Sequence, residues 1–151
     1  MGQFFNLRDH TGRTRVEDET ARAVLALPLL VAAADGEISP PETTQITNMC
    51  AFSPVFHAIG PDRTMALAGE VVAELKARGA TEVFKRAAAV LSPNLRETAM
   101  CFAIRTALAD GKLEEGEKKM LITMGESLAI PEETFFRIFD VMVMMQRAPG
   151  A

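Results

Sequence analysis

The strongest constraint in this chain is a phrase written twice. Ala32-Ala33-Ala34-Asp35-Gly36-Glu37-Ile38-Ser39-Pro40-Pro41-Glu42 is matched by Ala107-Leu108-Ala109-Asp110-Gly111-Lys112-Leu113-Glu114-Glu115-Gly116-Glu117, at a constant offset of 75 residues. Both read small apolar run, Asp-Gly, one residue, Ile or Leu, three residues, Glu. A repeat of this kind defines an architectural unit, here helix, acidic turn, helix. Glycine just past an apolar helix supplies the left-handed backbone that ends it. In the first copy Ser39, Pro40 and Glu42 form a capping box with a first-turn proline, so Glu42 has a structural job. The second copy has Glu114 where the serine stands, which leaves Glu117 half of that job.

Apolar residues at three- and four-residue spacing fill the rest of the chain. Thr14 to Glu17 reads as the cap of a first helix running to about Ala34, nearly apolar all round and interrupted by Pro28, which predicts a kink. Helices are then predicted from Pro40 to about Phe52, briefly after Ser53-Pro54, from Pro61 to Gly79, and over Glu82–Leu91 with Thr81 as cap. Three more follow: Asn94–Ala109 behind Ser92-Pro93, Glu115–Ala129, and Pro131 to about Met145. Val16 and Met65 fall on predicted apolar faces, and Met142 and Met145 are expected in the core. No segment alternates with period two. The expected fold is all-α, a compact bundle of seven to eight helices with an internal pseudo-repeat of helix–acidic turn–helix hairpins. Residues 1–13 read as a polar leader, 14–147 as one helical domain, and 148–151 as a disordered tail.

Several functions are disfavoured. The formal charge of −4 lacks the basic footprint that nucleic acid needs. No apolar run is long enough to insert in a membrane, and the leader has no signal-type segment, so a cytoplasmic location is expected. His10 and His57 have no partners at zinc-ligand spacing. Cys50 and Cys101 sit in apolar helical patterns and read as inert thiols rather than a disulfide framework. No phosphate loop or nucleophile motif is present, and no recognisable base supports a hydrolase, so catalysis is not indicated.

The acidic turns remain. Their carboxylates are the hard oxygen donors that Ca²⁺, Mg²⁺ and Mn²⁺ prefer. The phrase equals the back half of an EF-hand loop. The front half fails, with Val31 and Ala33 in one copy and Thr106 and Leu108 in the other at the first and third ligand positions. One turn alone cannot wrap a cation, whereas two facing each other can share one. The competing reading is that Asp-Gly stops a helix and Glu caps the next.

The paired phrases, Ala32 to Glu42 and Ala107 to Glu117, resemble the signature of the TerB family, the tellurite-resistance-associated domain of bacteria. The resemblance spans about Ala23 to Val143 and shows no alignable signature over 51–92. It implies an all-α domain with a metal-associated acidic site, which carries over to Asp35, Glu42, Asp110 and Glu117. It also implies a role in stress response beside a protein partner, a membrane protein at the cytoplasmic face. The leading expectation is therefore a non-enzymatic module that binds a divalent cation (Ca, Mg or Mn) and a protein partner. The alternative is a structural scaffold or self-association domain whose Asp-Gly turns only terminate helices.

Overall fold

Eight segments of the chain contain the apolar spacing that makes a helix, and all eight are helical in the computed structural model, which describes residues 15–109 and 111–151. They are α1 (Arg15–Ala32), α2 (Pro40–Cys50), α3 (Pro54–His57), α4 (Pro61–Arg78), α5 (Ala80–Val90), α6 (Pro93–Ala107), α7 (Glu115–Ser127) and α8 (Glu132–Met145). No strand occurs among the described residues. The starts follow from local chemistry. Ser39, Ser53 and Ser92 are extended N-caps whose hydroxyls accept the backbone N–H of Glu42, Val55 and Leu95, and proline follows each. The missing proline N–H is harmless there, because the first helical N–H groups have no intrahelical acceptor.

Helix α1 is buried around most of its circumference, with Ala21 and every residue from Ala23 to Val31 inside. Such a helix must be wrapped by others, and α1 packs against α2, α3, α4, α5 and α6. Its main neighbour is α6, which buries Ala99, Met100, Phe102, Ala103, Ile104 and Ala107. The small residues on both helices allow close approach. Arg22, Arg63 and Arg86 then lash α1 to α4 and α5 through Asp18, Glu19, Glu70 and Glu74, at 2.6–3.4 Å. Helix α8 is peripheral and rests on α6 and α7. Gly125 of α7 leaves room for the Phe135 ring; a Cβ there would stand 2.7 Å from Phe135 Cδ2.

Some sequence expectations are corrected. Helix α1 ends at Ala32, because Ala33 and Ala34 already belong to the turn. Its expected cap, Thr14, lies outside the described residues. Thr81 is not a cap: Gly79, at φ 88°, closes α4 and opens α5. Val16, Met65 and Met145 are exposed rather than packed, while Met142 is half-buried. Each exposed one lies on a face that periodicity marks as apolar but that its neighbours leave largely open; Met65 receives the Thr47 hydroxyl on its sulfur, at 3.9 Å.

One arginine holds three carbonyls at helix ends. Arg96 donates to Ala88 O at 2.8 Å, Leu128 O at 2.9 Å and Leu91 O at 3.1 Å. It thereby ties the ends of α5 and α7 to the start of α6, satisfying carbonyls that a helix terminus leaves without partners. Arg96→Met keeps the stem and removes all three donors. We expect it to lower unfolding free energy by about 2 kcal/mol or more, read by urea denaturation; a loss below about 0.5 kcal/mol contradicts the assignment.

Candidate functional site

Each acidic turn is built by the same backbone. Ala34 N–H donates to Val31 O and Gly36 N–H to Ala33 O, at 3.2 and 3.1 Å. In the second turn Ala109 N–H donates to Thr106 O and Gly111 N–H to Leu108 O, at 3.2 and 3.0 Å. Gly36 and Gly111 have φ 148° and 81°, values that disfavour a side chain. Ile38 is buried behind the first turn, and Leu113 is half-buried behind the second. These apolar anchors fix where the following helices begin.

Those helices begin alike. Ser39 (φ −78°, ψ 156°) and Glu114 (φ −77°, ψ 156°) are the N-caps of α2 and α7. Ser39 N–H donates to Glu42 Oε1 at 3.0 Å, and Glu114 N–H to Glu117 Oε1 at 3.4 Å. Glu117 thus has the same capping role as Glu42, through a longer bond, although its N-cap residue is glutamate. The bonds from Ser39 hold the Glu42 carboxyl below its ordinary value of 4.5, so it is ionised at neutral pH.

The two turns meet. Asp35, Glu42, Glu114 and Glu117 line one cavity of about 330 Å³, together with Gln45 and Thr106. Its walls are the ends of α1 and α6 and the starts of α2 and α7. Asp35, Glu42 and Glu114 are exposed, and Glu117 is half-buried. No lysine or arginine is among the described residues lining it, and none of these four carboxylates makes a described ion pair. Asp110, the fourth residue expected at the site, lies outside the described residues. Glu114, which the sequence reading did not place in the site, belongs to its lining; its signal was the 75-residue offset from the N-cap Ser39. Glu37 faces a different cavity, lined by Ala33, Val72, Leu75 and Lys76.

Chemically the lining offers hard oxygen donors and nothing else that reacts. Among the described residues, no three carboxylate, thiol or imidazole groups stand close enough to form a metal-holding set. The thiols lie elsewhere. Cys50 is buried, and burial pushes its thiol up to about 12; Cys101 is half-buried and raised by burial and by Glu97. A thiol so far above neutrality is a poor nucleophile. A second cavity of about 330 Å³, between α2, α3 and α4, includes Thr47, Phe56, His57 and Thr64. Both of its threonine hydroxyls donate to backbone carbonyls, at 2.9 and 2.8 Å.

The class is thus an all-helical domain in which two Asp-Gly turns from separate parts of the chain bound one acidic cavity. The profile of the family described as tellurite resistance protein TerB matches residues 21–139, and the chain belongs to that family. No curated protein and no solved structure gives a significant match. No helix among the described residues is long and apolar enough to cross a membrane.

The cap at Glu42 has a pH signature. Its folded value is depressed, so its stabilisation is complete above the unfolded value and is lost as pH falls through the lowered folded value. Between about pH 6 and about pH 3 the wild-type melting temperature should therefore fall more steeply than that of Glu42→Gln. Parallel curves by circular dichroism would show that the Glu42 charge plays no part in the cap.

Proposed function

We propose that this TerB-family chain is a non-enzymatic module that holds one divalent cation, Ca²⁺, Mg²⁺ or Mn²⁺, between its two acidic turns. Asp35 and Asp110 would be direct ligands. Glu42 and Glu117 would ligate through the oxygen that the cap leaves free, or orient the ligands from behind. The supporting observation is that carboxylates from both turns line one cavity without a described cationic side chain among them. Like charges gathered in one place repel one another, and a cation between them removes that cost. The donor set fits hard cations, since it is all oxygen. On this reading the two turns work as paired halves of a repeated hairpin, and the occupied corner presents a surface to a protein partner. The family's association with tellurite resistance suggests a stress-response setting and a membrane-protein partner at the cytoplasmic face.

A second reading is favoured by the caps themselves. Glu42 and Glu117 already serve the starts of α2 and α7, so the same residues suit a helical scaffold with no ligand.

Titration calorimetry with Ca²⁺, Mg²⁺ and Mn²⁺, with Zn²⁺ as a comparison, separates the two. The metal reading expects one saturable site and, at a hundredfold excess over Kd, about 2.7 kcal/mol of added stability. That is a rise of roughly 5–10 °C in Tm for a chain of this size. Asp35→Asn/Asp110→Asn should abolish both effects, while Ser39→Ala, which weakens only a cap, should keep binding. If wild type and the double asparagine variant respond alike to every cation, the scaffold reading stands.

A further inference from the structure

We draw no further inference here: the strongest candidate, the cavity of about 330 Å³ that α2, α3 and the start of α4 enclose around Asn48, Phe56 and His57, carries nothing, because its two buried polar side chains, Thr47 and Thr64, already donate to backbone carbonyls and nothing in the structure shows what fills it.

Discussion

The side-by-side packing of α1 and α6 governs the rest of this structure. Both helices carry alanine where they meet the core, and α1 is too apolar to leave any broad side to solvent. Their C-terminal ends border the same cavity, so the two helices run in the same direction. The turns that follow them therefore open at one end of the bundle. Helices α2 and α7 start from that end and complete its walls. Had α1 and α6 packed antiparallel, the same two phrases would have been placed a helix length apart and would share nothing.

Much of this was legible in the sequence, for identifiable reasons. Ser-Pro pairs at 39–40, 53–54 and 92–93 mark helix starts, because the hydroxyl caps and the proline cannot continue a helix backwards. The acidic turns were legible because Asp-Gly and the apolar residue behind it recur at fixed spacing. What periodicity does not reveal is which apolar face finds a neighbour. Met65 and Met145 fit a helical stripe as well as Leu67 or Leu121 do, yet only the latter are covered. Gly79 misled for another reason: one residue both ends α4 and begins α5, which leaves no linker for a separate cap. At the candidate site, Asp35, Glu42 and Glu117 were anticipated. Glu114 was not, because a glutamate at an N-cap reads as a substitute for serine until α2 and α7 are seen to face one cavity.

The distribution of cations matters as much as that of the acids. Three of the arginines are committed to carboxylates of α1 and α4 in a shared network, each near more than one acid. Arg96 is committed to backbone carbonyls. These four side chains stabilise connections between helices rather than neutralising the turns. Partly exposed ion pairs contribute little singly, but a network spanning α1, α4 and α5 fixes how those helices sit around the central one.

The caps at Glu42 and Glu117 place one carboxylate oxygen on the backbone and leave the other outside that bond, and both residues line the cavity. If the proposed cation binds there, a group of this kind would couple it to the opening of the first turns of α2 and α7. Fraying of either turn releases the glutamate from its N–H and so withdraws an oxygen from the corner. Occupancy would then be felt most strongly by the amide protons of those two turns, as slower exchange with solvent, while the deeply buried amides of α1 would scarcely register it.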